Sequence, residues 1–312
     1  MEQRKDKLTA TTVSINSIAS TDVLRRIETA VLLELHEKVN IPALLINAES
    51  WTLNKGETSE LERIEIQSLK YLFDLPSHTP TPAIIFTLGV LYTSHRVDQK
   101  RFIRLHLILN RDENHWTKKI LKLLDAHDIG WCKSVRISLQ EYDLPTDFLT
   151  IKEFTKTKWI KLVKTKVELK NTQRLLEDCH KKEGDELIPK RKTSCIIPHL
   201  QDSAYVRKPS HAIVRFTKQE TKTLMIARYG MLECGTNSKG SIRELCTTCN
   251  TIDDENHRLN FCPKFRTMNL LDSEESIDFP SIHSNDHDVL QRILPIIERV
   301  WNTKNAHGTM NK

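Results

Sequence analysis

The 312-residue chain is 38% hydrophobic and 28% charged and carries a net charge of +6; that suits two ordinary domains, or one with appendages, and excludes disorder throughout. Only eight glycines occur, and neither G-x-x-x-x-G-K-[ST] nor G-x-G-x-x-G is present, which excludes the common glycine-rich phosphate cradles. The longest apolar stretch, Ala83 to Tyr92, is about half the ~20 residues a membrane helix needs.

Residues 1–19 lack periodicity and read as a polar arm. The residues Glu2-Gln3-Arg4-Lys5 after Met1 cannot start a secretory signal, so reduced thiols and an intracellular location, nuclear or cytoplasmic, are expected, with no membrane partner. Ser20-Thr21-Asp22 is a helix-start signal. Val23, Ile27, Ala30, Val31 and Leu35 then make an apolar stripe, bounded by Pro42. Ser59 is the expected cap of a second helix that buries Leu61, Ile64, Leu69, Leu72 and Phe73 and stops at Pro76. Three prolines, Pro76, Pro80 and Pro82, make a rigid connector. A short helix through Ile84, Ile85 and Leu88 ends at Gly89. Another starts near Thr93 and carries Val97, Phe102, Leu105, Ile108 and Leu109, and Trp116 through Leu124 forms one more.

Residues 155–182 are helix-prone, with Trp159, Leu162, Val163 and Leu169 as packing residues. Residues 183–199 read as loop, and Pro189-Lys190-Arg191-Lys192 within it fits a short nuclear-import pattern. One helix is expected from Pro209-Ser210 to about Met231. An acidic, irregular segment, 266–286, precedes a last helix capped by Asp286 or Asp288, with the stripe Leu290, Ile293, Ile296, Ile297 and Val300. The expected fold is mainly α: a helical bundle over 20–130, a basic helical linker over 131–235, a small metal-held module over 236–268, and an acidic segment with a terminal helix over 269–312.

The metal-held module rests on Cys246, Cys249, His257 and Cys262, in the order C-x2-C-x7-H-x4-C. A mixed sulfur and nitrogen set of four suits tetrahedral zinc, and a closed set is structural rather than catalytic. The intervening residues 250–256 are too polar to fold by burial. His283, Asp286, His287 and Asp288 also bring ligand types together, but they read as a helix start with incidental histidines.

The basic charge is concentrated. Between Lys152 and Lys192 thirteen basic residues face seven acidic ones, an excess equal to that of the whole chain. Lys156, Lys158, Lys161, Lys164 and Lys166 form a ladder around Trp159, which itself reads as core. Such an excess can hold a polyanion without reading its sequence. Arg215, Lys218 and Lys222 share one face of the helix expected before the cysteines, either as a phosphate-tracking ridge or as a solvated face. Arg96, Lys100, Arg101 and Arg104 alternate with Val97, Phe102 and Leu105, with the same two readings open.

In their order these blocks resemble the C-terminal part of non-LTR (LINE-type) retrotransposon reverse transcriptases, the region after the palm. Residues Leu45-Ile46-Asn47-Ala48-Glu49-Ser50-Trp51 are similar to that family's L-x-[GN]-[AS]-E-[ST]-W signature. Leu61-Glu62-Arg63, Gln67, Leu69 and Leu72-Phe73-Asp74-Leu75-Pro76 with Thr79-Pro80 resemble the helix and exit turn of its thumb. Leu88-Gly89-Val90, Arg96 and Lys100-Arg101 match the next block, and the cysteine cluster resembles its CCHC knuckle. The resemblance runs from about Ser20 to Cys262. It implies a parent that copies RNA into DNA, and a part that grips RNA and the template–primer duplex. The resemblance also implies a palm located upstream or in trans, because a polymerase needs a Y/F-x-D-D carboxylate pair with a further aspartate for two magnesium ions. The only Asp-Asp, Asp253-Asp254, stands inside the expected zinc loop, so the chain itself is expected to be no enzyme. Two other readings stay open: a restriction-like nuclease remnant after the knuckle, which lacks an acid-acid-x-Lys core, and a zinc-stapled protein-interaction module.

Overall fold

In the computed structural model, structure is described for residues 26–183, 186–189, 193, 196–201, 211–229, 245–246, 249–251, 257 and 287–308. The described residues are mainly helical. The polar arm, the Ser20-Thr21-Asp22 start, the basic tripeptide 190–192, the approach to the cysteines, Cys262 and the acidic segment lie outside them.

Helix α1 (Thr29–Leu35) passes through a π-helical turn (His36–Asn40) into the short α2 (Ile41–Leu44). The wide turn is the local answer to Pro42. Proline has no N–H for an interior helical bond but is tolerated in a first turn, and here it sits at the start of α2 rather than bounding the helix. The expected stripe on α1 is also rotated: Val31 is 44% exposed, while Leu32 and Leu33 are buried.

Helix α3 (Lys55–Leu72) starts one turn before Ser59. Asn54 and Glu57 form a reciprocal capping box, Glu57 N–H to Asn54 Oδ1 and Asn54 N–H to Glu57 Oε2, both 2.9 Å. Two orphan donors are thereby satisfied at once. Ser59 lies inside the helix and donates to the Lys55 carbonyl. Helix α4 (Thr81–Leu88) closes at Gly89, whose φ of 62° is the left-handed conformation that a residue without Cβ adopts freely. Then come α5 (Thr93–Leu109), α6 (Trp116–Ala126), α7 (Gly130–Glu141), α8 (Phe148–Glu153) and α9 (Lys156–Asp178). The region read as loop contains an antiparallel hairpin, β1 (His180–Glu183) with β2 (Glu186–Pro189), and α10 (Ile197–Gln201). Helices α11 (His211–Arg215), α12 (Lys218–Arg228) and α13 (His287–Gly308) complete the described elements.

Burial divides into three clusters. The first joins the two ends of the described chain: Leu32, Leu69, Phe73, Ile84 and Leu88 pack with Phe216, Leu224, Leu290, Ile293 and Ile297. The last helix is thus part of this core through Leu290, Ile293 and Ile297 of the stripe read from sequence, and through Leu294 beside them. The second cluster holds Phe102, Leu105, Leu121, Val135, Leu139, Phe148, Trp159, Val163 and Val167. It contains residues from both sides of position 130, so the expected boundary between bundle and linker runs through a core. The third is small, with Ile41, Leu44, Leu45, Leu61, Ile64 and Val97, and Trp51 is partly buried against it.

Helix α9 shows why its lysines face out. Trp159, Val163, Val167, Asn171 and Leu175 recur every fourth residue and form the buried stripe. Leu169, expected in that stripe, is 48% exposed. Trp159 is fully buried, and its Nε1–H donates to the Phe102 carbonyl at 3.0 Å. Trp159→Phe removes that bond, though the Phe102 carbonyl keeps its intrahelical partner, and leaves a small void, so urea denaturation is expected to register a loss of about 1–3 kcal/mol.

Candidate metal centre and basic surface

Cys246 and Cys249 are brought together by a turn that Asn250 closes. Asn250 has a φ of 58°, a conformation Asn tolerates better than most side chains. Its N–H donates to the Cys246 carbonyl at 2.8 Å, and the Cys246 N–H donates to the Thr251 carbonyl at 2.7 Å. His257 returns to this turn and is 7% exposed. Its Nε2 lies 3.0 Å from Cys249 Sγ. The Thr251 hydroxyl is 3.3 Å from the same sulfur and 3.1 Å from His257 Nδ1.

The three ligand atoms all lie within 4.8 Å of one another. Tetrahedral zinc, with Zn–S near 2.3 Å and Zn–N near 2.0 Å, places two sulfurs about 3.8 Å apart and sulfur and nitrogen about 3.6 Å apart. The Cys249–His257 approach is about 0.6 Å shorter than that spacing, and the three side chains together could hold a metal ion. Thr251 is placed to orient the ring, a partner that spacing between Cys and His does not disclose. The expected fourth ligand, Cys262, lies outside the described residues. Cys132 and Cys179 are fully buried elsewhere, and burial pushes the Cys132 thiol up to about 11, as suits an inert core residue. His287 is a helix-start residue stacked on Phe216, ring centroids 5.1 Å apart.

The expected basic residues separate into two groups. Lys156, Lys158, Lys161 and Lys164 are exposed on α9, and none forms an ion pair among the described residues. Lys166 is half-buried, 3.9 Å from Asp143. Arg104 is partly exposed without an ion pair among the described residues.

The others are corrected by burial. Arg96 is 9% exposed; its guanidinium donates to both Glu37 oxygens, at 2.7 and 2.5 Å, and lies 3.6 Å from the buried Glu65. Arg101 is 5% exposed and donates to Asp98 at 3.1 Å and Ser134 at 2.6 Å. Lys100 is partly buried and donates to the Leu45 carbonyl, and burial lowers its pKa below the usual lysine range. Arg96 and Arg101 are therefore internal ties between helices rather than an outward row.

The expected ridge of Arg215, Lys218 and Lys222 is also broken. Thr217 and Glu220 form a capping box that ends one helix and starts the next. Lys218 is buried with Nζ 2.9 Å from Asp74, and its N–H donates to the Ile27 carbonyl. Arg215 stays exposed on α11, while Lys222 is half-buried on α12. The Thr217-Lys218-Gln219-Glu220 sequence carried this signal, since T-x-x-E is a helix-start pattern.

No protein-family model, curated protein or solved structure matches this chain. No described helix is long and apolar enough to cross a membrane.

Proposed function

We propose that this chain is a nucleic-acid-binding C-terminal portion of a non-LTR retrotransposon reverse transcriptase, lacking the catalytic palm, with zinc held by Cys246, Cys249, His257 and Cys262. Its partners are RNA and the template–primer duplex. The observation that carries the reading is the row of four exposed lysines, 156, 158, 161 and 164, without ion pairs among the described residues. Lys156 and Lys158 also stand in the first turn of α9, where the helix dipole disfavours cations. A phosphate backbone along this face relieves that repulsion and meets free N–H groups as well. Arg104, Arg215 and Lys222 remain available as weaker contributors, whereas Arg96, Arg101 and Lys218 serve the fold.

Phosphate contacts release counterions, so log affinity falls with log salt by roughly 0.7–0.9 per phosphate neutralised. Replacing the four lysines by alanine is expected to flatten that slope by about three units and to weaken binding to all sequences alike. Fluorescence anisotropy with structured RNA across a salt series measures it. Wild-type protein that binds nothing at low salt, or a quadruple variant that keeps the full slope, overturns the assignment.

A further inference from the structure

Helix α6 carries two different faces. Trp116, Ile120 and Leu123 are exposed. Lys118, Leu121, Lys122 and Asp125, spaced i, i+3, i+4 and i+7, share another face and line a cleft of about 590 Å³ against residues of α7 and α8. A cleft of that size takes a small organic ligand. Leu109, Leu121 and Phe148 make its apolar side, and the Arg136 guanidinium lies 5.1 Å over the Phe148 ring.

The charges along the wall are unevenly matched. Arg136 is paired with Asp125 and Asp128. Asp147 accepts the N–H groups of Leu149 and Thr150 in the first turn of α8. Glu113 alone answers three lysines among the described residues, Lys118 at 2.6 Å, Lys122 at 2.6 Å and Lys152 at 3.8 Å. Three ammonium groups around one carboxylate leave a local surplus of positive charge. Hydrogen bonds from Lys118 and Lys122 hold the Glu113 carboxyl down to about 2, so it stays ionised at neutral pH. Lys118 is 5% exposed and is fixed from behind, its Nζ also donating to the Arg111 carbonyl at 2.8 Å. Glu113 stands instead in the exposed turn between α5 and α6, where it can swing away without disturbing a core.

We propose that this cleft is a phosphomonoester site, in which Lys118, Lys122 and Lys152 hold the phosphate and Glu113 is the resident counter-ion that the phosphate displaces. A phosphomonoester carries about −1.5 to −2 charges at neutral pH and three acceptor oxygens. That matches three ammonium groups better than the single charge of a phosphodiester does. The organic part of the ligand then lies toward Leu109, Leu121 and Phe148. The same chemistry occurs in a free nucleotide and at the phosphorylated end of a nucleic-acid strand. The site uses none of the α9 lysines and does not rest on the nucleic-acid reading above.

Isothermal titration calorimetry of the full chain with adenosine monophosphate is expected to show binding, and with adenosine none. The methyl ester of that phosphate, a monoanion, is expected to bind roughly tenfold more weakly, the equivalent of one charge-assisted hydrogen bond. Lys122→Ala should cost adenosine monophosphate a similar factor and leave circular dichroism unchanged, because the Lys122 side chain is exposed. Glu113→Gln should instead tighten binding roughly two- to fivefold, because it removes a competing ion pair of surface strength. Wild-type protein that fails to bind adenosine monophosphate at millimolar concentration, or binds adenosine equally, overturns the site. So does Lys122→Ala that keeps full affinity, or Glu113→Gln that weakens it. Fluorescence anisotropy with an oligonucleotide bearing a terminal phosphate, and with the same strand ending in a hydroxyl, separates the two sources. A preference for the phosphorylated strand that Lys122→Ala abolishes assigns the site to a strand end; adenosine monophosphate binding without that preference assigns it to a free nucleotide. The four-lysine variant of α9 should keep full affinity for adenosine monophosphate, so the α9 reading and this site fail separately.

Discussion

Chelating the metal from the purified chain is expected to unfold the segment from Cys246 to His257 and leave the three helical clusters standing. The local sequence explains the size of the effect. Asn250, Asp253, Asp254, Glu255 and Asn256 supply almost no apolar surface, so this segment has little of its own to bury in holding His257 against the cysteine turn. Contacts between His257 and that turn include a sulfur–nitrogen approach of 3.0 Å and the Thr251 hydroxyl. Structural zinc contributes on the order of 10 kcal/mol to the folding of such modules, far more than these hydrogen bonds. Metal analysis is expected to return one zinc per chain. Cys249→Ser should lose the ion while far-UV circular dichroism, dominated by helices outside the module, barely moves. Alkylation of Cys246 and Cys249 at the same rate with zinc as with chelator would falsify the assignment, as would collapse of the whole helical signal on chelation.

Arg96→Ala is expected to destabilise the fold by about 3–5 kcal/mol, the usual consequence of removing one partner of a buried ion pair. Arg96 ties α5 to the π-helical turn through Glu37 and to α3 through Glu65. Glu65 is 1% exposed. Without Arg96 its remaining side-chain contacts are His36 at 3.3 Å and the Thr93 hydroxyl, and its buried charge loses its cation. Arg96→Lys is expected to recover only part of the loss, because an ammonium cannot span both Glu37 oxygens as the planar guanidinium does. Lys158→Ala, on an exposed face, is expected to stay within about 0.5 kcal/mol of wild type. Urea denaturation of the three variants separates an internal tie from a ligand contact. If Arg96→Ala keeps its stability within about 1 kcal/mol and instead loses RNA binding, Arg96 returns to the surface row that its spacing suggested.

Local signals were legible in the sequence. Gly89 as a helix stop, Thr93 as a start, the buried stripe of α3, Trp159 as core and Leu290, Ile293 and Ile297 as the inward residues of α13 all follow from spacing and turn chemistry, which act over a few residues. The pairing of Cys246 with Cys249 and the return of His257 were legible for the same reason, since a metal site is written in the identities and separations of its ligands. Some local signals were present and lost to a competing one. Asn54 with Glu57 outranked Ser59 as a cap because two reciprocal bonds satisfy two donors where a lone serine satisfies one. Thr217 with Glu220 split a helix that apolar spacing alone had joined.

Tertiary structure decided which cations point outward. Arg96, Arg101 and Lys218 have the same side-chain types and helical spacing as Lys158 and Lys161. Their difference is that Glu37 and Asp74, from elements distant in sequence, meet Arg96 and Lys218, while Arg101 pairs with Asp98 on its own helix and reaches Ser134 on α7. The exposed Trp116 is the mirror case. Indole identity predicts burial, but α6 had already turned Leu121 to the second core, and a helix can turn only one face inward. A sequence states a residue's chemistry and its neighbours along the chain. Whether a charge is neutralised inside or offered to a partner depends on which other element is packed against it, and that is settled only when the helices are assembled.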